Sequence, residues 1–146
     1  MFEKLLVPVD GSEHAKRAAK VAADVALCNN STVWLVHVVR DLSLPKEILD
    51  MISSGEITAS RMQILQDSAN IILDQARREF EAAGVGEVRS ECLVGDPAST
   101  ILDYAEEHEI GLIVLGQRGL NPRGGMLGGV ARKLVNMTTI PCLIVS

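Results

Sequence analysis

Apolar positions along the chain follow two alternating periods, and the alternation predicts an architecture. Lys4 to Val9 (KLLVPV) is a short, nearly continuous apolar run, as expected of a strand buried on both faces. After Asp10-Gly11-Ser12 the apolar positions become Ala15, Ala18, Ala19, Ala22 and Ala26, one face of a helix with Ser12 as its N-cap. Ser31 to Val39 (STVWLVHVV) returns to a β-branched run and predicts a second strand. Asp41 to Thr58, with Pro45 and Gly55, reads as a loop holding at most one short helical piece. From about Ser60 the helical period resumes at Met62, Leu65, Ala69, Ile72, Leu73, Ala76, Phe80 and Ala83, and Gly84 stands where a helix C-terminal glycine is expected. Glu87 to Val94 alternates polar and apolar, which predicts a strand nearer the sheet edge. Asp96-Pro97 opens a third helix, buried through Ile101, Leu102 and Ala105. Gly111 to Leu115 and Pro141 to Val145 are further strands, separated by a glycine-rich loop and a helix.

Strands that alternate with helices imply a parallel sheet with right-handed crossovers. The predicted fold is therefore α/β: one doubly wound domain over residues 1–146, with helices on both faces of the sheet. Composition agrees. At 146 residues and 47% apolar, the chain can fill one core with Ala, Val, Leu and Ile. A net charge of −5 argues against nucleic acid or a membrane surface as partner. No apolar stretch is long enough to span a bilayer and the N-terminus runs straight into a strand, so a cytoplasmic location is expected. Cys28, Cys92 and Cys142 are odd in number and widely spaced, which predicts small buried hydrophobes rather than disulfides or zinc ligands.

Doubly wound sheets bind ligands beyond the carboxyl ends of their strands, where the winding reverses. Two turns would meet there: Asp10-Gly11-Ser12, and the segment that begins at Gly116. The second holds six glycines in fourteen residues, Gly116 to Gly129, between a buried strand and a helix. Glycines let backbone amides approach a phosphate, and the following helix N-terminus adds partial positive charge. From Gly111 to Ser146 there is no Asp or Glu, while Arg118, Arg123, Arg132 and Lys133 are present. An acidic protein that keeps one segment basic points to an anion held there; the plainer reading is a flexible, solvated connection. The Walker pattern is absent, since Gly124 to Gly129 is followed by Val130 and Ala131, and no G-x-G-x-x-G follows the first strand.

With these residues in place, the chain resembles the universal stress protein family over nearly its whole length. The resemblance is carried by VPVDGSEHAKRAAKVA, by HVV at the end of the second strand, and by LIVLGQRGL and PCLIV. The nucleotide-binding branch of that family has G-x-x-G, nine residues, then G-[ST], and Gly116, Gly119 and Gly129 match this spacing. The resemblance implies a five-stranded parallel sheet in the order 3-2-1-4-5 and a homodimer through the last strand, Pro141 to Val145. It implies an adenine nucleotide, ATP, ADP or AMP, with or without Mg²⁺. Asp10 would hold the ribose or adenine side, or the Mg²⁺, beside Pro8 and Val9, and Val38 would line the adenine slot. Gly116, Gly119 and Gly129 would wrap the phosphates, with Gln117 and Arg118 near and Val130, Ala131 and Arg132 following.

One departure matters. The hydroxyl residue after the last glycine is Val130, and Arg132 stands where a second hydroxyl is usual. A charge-assisted hydrogen bond is worth about 1.5–3 kcal/mol, so its loss costs about tenfold or more in affinity. Either Arg132 replaces the hydroxyl, or the site favours fewer phosphates, or the pocket is vestigial. Gly116→Ala and Gly129→Val are both expected to remove binding and spare the fold.

Other candidates read more plainly. His37 is expected to be partly buried and bonded to backbone, His14 and His108 to face solvent, and Trp34 to pack in the core. Three histidines without ligand spacing predict no metal site. Ser12 lacks a G-x-S-x-G elbow, and no second carboxylate joins Asp10 as a metal clamp. Three functions stay open: a stress-response regulator that binds adenine nucleotide, a ligand-free dimeric interaction protein, and a slow ATPase. The first is the expectation, and the chain is not expected to be an enzyme.

Overall fold

The computed structural model describes residues 1–40, 58–119 and 127–146, the side chains of 58–62 excepted. Strands and helices alternate throughout: β1 (Lys4–Pro8), α1 (Glu13–Asn29), β2 (Thr32–Val39), α2 (Thr58–Ala82), β3 (Glu87–Val94), α3 (Pro97–Glu107), β4 (Leu112–Gly116), α4 (Gly129–Met137) and β5 (Cys142–Val145). The loop expected over residues 41–57 lies outside the described residues, and α2 begins at Thr58.

All pairings are parallel, in the order β3-β2-β1-β4-β5. β1 takes the centre because Leu5, Leu6 and Val7 are apolar on both faces, and all three are fully buried. One face carries Leu5, Val7, Val33, Leu35, Leu112 and Val114 against α1 and α2. The other carries Leu6, Trp34, Val36, Ile113 and Leu115 against α3 and α4. The buried face of α1 is entirely alanine (residues 15, 18, 19, 22, 23 and 26), so its axis lies close to the sheet.

Helix ends follow the expected chemistry. Ser12 Oγ accepts from Ala15 N at 3.1 Å, and Asp96 accepts from Ser99 N ahead of Pro97. Gly84, just past α2, adopts φ +97°. α4 differs from α1 and α3: its N-cap is Gly128, and no side chain among the described residues caps it.

The two sheet edges contrast. β3 sets Glu87, Arg89 and Glu91 along an exposed edge, and Arg89 bonds Glu87 at 2.7 Å. β5 is Cys-Leu-Ile-Val, half-buried at every position and free of charge.

Some expectations need correction. Cys28 lies on the solvent face of α1 and is exposed, while Cys92 and Cys142 are only partly buried on the outer strands. His14 and His108 are half-buried rather than solvent-facing. The His108 ring stacks on Tyr104, centroids 3.9 Å apart, at the end of α3. His14 packs against β4. Trp34 is buried as expected, with the Arg89 guanidinium 5.3 Å over its ring.

Candidate functional site

Because β1 pairs with β2 on one side and β4 on the other, the winding reverses between β1 and β4. The turns after these two strands therefore flank one crevice at the carboxyl end of the sheet. In the first, Gly11 adopts φ +83°, which lets the chain fold back so that Ser12 N donates to Asp10 Oδ1 at 2.9 Å. The second turn runs from Gly116 to Gly119 and resumes at Leu127, residues 120–126 being outside the described set.

The two turns touch. A Cβ built on Gly119 would stand 2.8 Å from Asp10 Oδ2, so the carboxylate lies directly against that glycine. The ends of the second turn are tied to each other, since Gly128 N donates to Gln117 O at 2.7 Å. Gln117 N in turn donates to Val145 O at 2.7 Å, which joins the turn to β5. A Cβ on Gly128 would come within 3.1 Å of Gln117 O and 3.2 Å of Arg118 Cα, so this closure depends on a bare backbone.

The glycines serve different neighbours. At Gly116 a Cβ would sit 2.8 Å from the His14 carbonyl carbon, so close packing of α1 on β4 already demands glycine there. At Gly129 a Cβ would meet nothing within 4 Å among the described residues. None of the described glycines of this loop has positive φ; close approach, not backbone twist, explains them.

Strand alternation sorts the remaining predicted residues by face. Pro8 shares the face of Leu6, and Val38, Leu127 and Val130 pack partly buried against the same cluster, forming an apolar flank beneath the start of α4. The side chains of Val9 and Ala131 are 6% and 3% exposed, inside the core on opposite faces, which leaves their backbone groups to be considered at the site. Both backbone groups of Val9 are engaged, its N–H by Val36 O and its carbonyl by His37. Ala131 leaves only its amide, near the uncapped helix start. Arg132 points into solvent on the next turn.

Charge is distributed as the acid-free segment predicts, with one refinement. The Asp96 carboxyl is held below the usual carboxylate range, first by hydrogen bonds from Ser99, then by Lys133 and Arg40 nearby. Arg118, Arg132 and Lys133 form no ion pair among the described residues. Arg123 falls outside them. Arg118 Nε and His14 Nδ1 are closed off from water with no hydrogen-bond partner among the described residues, a condition folded proteins keep rare. His14 had no signal in its sequence surroundings, since only packing against Gly116 brings it here. A separate depression between α1 and α2, floored by Ala19, Ala23 and Phe80, lies away from both turns and gathers no converging amides. Among the described residues no cluster of three metal-ligating side chains occurs, and no helix is long and apolar enough to cross a membrane.

Comparison with known proteins agrees with this frame. The model of the universal stress protein family matches residues 1–146. Universal stress protein YxiE of Bacillus subtilis is 30% identical, over 99% of each chain. The structure of universal stress protein UspA from Lactobacillus plantarum superposes with a TM-score of 0.81 at 26% identity, covering 99% of this chain and 98% of the other. A universal stress protein solved in complex with cAMP shares the fold, with a TM-score of 0.72 at 23% identity over 99% of this chain and 96% of the other. This chain, with its 3-2-1-4-5 sheet and its glycine turn lying against Asp10, belongs to the universal stress protein family.

Proposed function

We propose that this member of the family binds an adenine nucleotide in the crevice between β1 and β4 and acts through that occupancy rather than through turnover. The observation that carries the reading is the contact of Gly119 with the Asp10 carboxylate beside the uncapped start of α4. The groups present suit the ligand. The amides of Gly129, Val130 and Ala131 open the helix without a capping side chain, and a phosphate is the anion such amides favour. The open space over Gly129 leaves it room. Pro8, Val38, Leu127 and Val130 offer an apolar wall for a purine. Asp10 Oδ1 is committed to Ser12, and Oδ2 remains for a ribose hydroxyl or a Mg²⁺ carried in with the phosphates. Gln117 supports the turn rather than the ligand through its backbone, since its N–H and carbonyl are both engaged in closing the turn. Arg118 and Arg132 are the cations that would meet the phosphate tail.

Native mass spectrometry of freshly purified protein is expected to show retained adenine nucleotide, and calorimetry with ATP, ADP and AMP to show binding at micromolar levels. Absence of heat and of thermal shift with all three would end the reading. Hydrolysis of ATP is expected to run no faster than background.

We further propose that β5 joins two copies edge to edge, because it is the uncharged edge of the sheet. Ile113 N donates to Pro141 O and Gln117 N to Val145 O, so residues 141, 143 and 145 turn their peptide groups toward β4. Those of Cys142 and Ile144 face outward. Ile144→Pro therefore removes an outward N–H and spares the β4 ladder. Light scattering is expected to report a dimer for the parent and a monomer for the variant; an unchanged mass would place the interface elsewhere.

A further inference from the structure

His37 lies near the end of β2 on the α1–α2 face, and its Nδ1 lies 2.8 Å from the Val9 carbonyl oxygen, across the carboxyl end of β1. A carbonyl can only accept, so Nδ1 carries the proton in this bond and the free lone pair of the neutral ring is on Nε2. Val9 is the first residue beyond β1 and the last before Asp10. Its N–H donates to Val36 O at 2.8 Å, which ties the preceding Pro8–Val9 peptide to β2. The His37 bond holds the carbonyl, which belongs to the Val9–Asp10 peptide, so the peptides before and after Val9 are each tied to β2 by one hydrogen bond. The next links are local: Asp10 Oδ1 accepts from Ser12 N, and Oδ2 lies against Gly119. A rotation of the Val9–Asp10 peptide would move the carboxylate off Gly119 and disturb the Ser12 amide together.

We propose that His37 is a positioning residue: by donating Nδ1–H to Val9 O it sets the corner from which Asp10 meets the glycine turn. The assignment extends the proposed function, since Asp10 is its recognition residue, but it makes a claim about the empty protein as well. The hydrogen bond that His37 makes is to the Val9 backbone and not to Asp10 or the glycine turn. Val38, its neighbour, lies on the opposite face with the apolar wall.

His37→Phe keeps a ring of similar size and removes the donor, while His37→Asn restores an N–H near the position of Nδ1. In the ligand-free protein, amide hydrogen exchange at Ser12 is expected to quicken about tenfold in His37→Phe, equivalent to about 1.4 kcal/mol, and to return toward the parent in His37→Asn. Nitrogen-edited NMR of the parent is expected to show the proton of the neutral ring on Nδ1. With ADP as probe, affinity is expected to fall by a similar factor in His37→Phe and to recover in His37→Asn. Unchanged Ser12 exchange in His37→Phe would overturn the proposal, whether or not the protein binds nucleotide. Equal loss in both variants would overturn it too, because the ring's shape and not its donor would then be at work. A parent that fails to bind ADP while Ser12 exchange follows the donor would leave His37 in its role and remove the nucleotide.

Discussion

Gly129→Val is expected to abolish nucleotide binding and leave the melting temperature of the empty protein unchanged or slightly raised. The two effects separate because no described residue occupies the space a side chain would take: among the described residues a Cβ at this position meets no atom within 4 Å. Gly129 is the first residue of α4, in helical conformation, where glycine is destabilising by roughly 0.5–1 kcal/mol relative to alanine. A branched side chain there would stand over the amides that open the helix. Two charge-assisted hydrogen bonds lost at about 1.5–3 kcal/mol each amount to a hundredfold or more in affinity. Calorimetry with ADP, paired with thermal melts of the empty protein, reads both quantities. Parent-like affinity in the variant would show that phosphates are not held at the start of α4.

Gly116→Ala is expected to do the reverse and unsettle the fold first. Its methyl group would press on the backbone of His14, 2.8 Å from the carbonyl carbon, and backbone inside a helix cannot turn aside as a side-chain tip can. Overpacking of this kind costs roughly 1–3 kcal/mol, which for a chain of this size lowers the melting temperature by roughly 4–10 °C. The sequence pattern treats Gly116 and Gly129 as equivalent and predicts that both substitutions spare the fold; the structure divides them. Gly116 answers to α1, and Gly129 to no neighbour among the described residues, which is where the proposed ligand would stand. Differential scanning calorimetry of the two variants checks the division, and a Gly116→Ala melt equal to the parent's would contradict it.

Much of the architecture is legible in the chain because the signals are local. The apolar run at Leu5–Val7, the alanine face of α1, the Ser12 and Asp96 caps and the Gly84 stop each act within a few residues, where periodicity and hydrogen-bond chemistry decide the outcome. The polar alternation of β3 marks an edge strand for the same reason. His37 could be read as bonded to backbone from its place at the end of a buried strand, though its acceptor could not be named. The cysteines and His14 were misjudged, because exposure on the surface of a helix or strand depends on which neighbour covers it. For Cys28 that neighbour is absent; for His14 it is Gly116, about a hundred residues away in sequence.

By itself, then, the sequence determines the element order, the doubly wound class, the family and the turns that matter. It holds the Gly116, Gly119 and Gly129 spacing as a pattern without saying which atom requires each glycine. Only the tertiary structure decides that, since each requirement is a contact between distant segments: the His14 backbone at Gly116, the Asp10 carboxylate at Gly119, the Gln117–Arg118 backbone at Gly128. It also decides that the side chains of Val9 and Ala131 lie in the core on opposite faces of the sheet, because strand and helix faces are assigned by what packs against them. The physical reason is range. Propensity and capping act through neighbours in the chain, whereas a binding crevice is made by segments that meet only after the sheet has assembled.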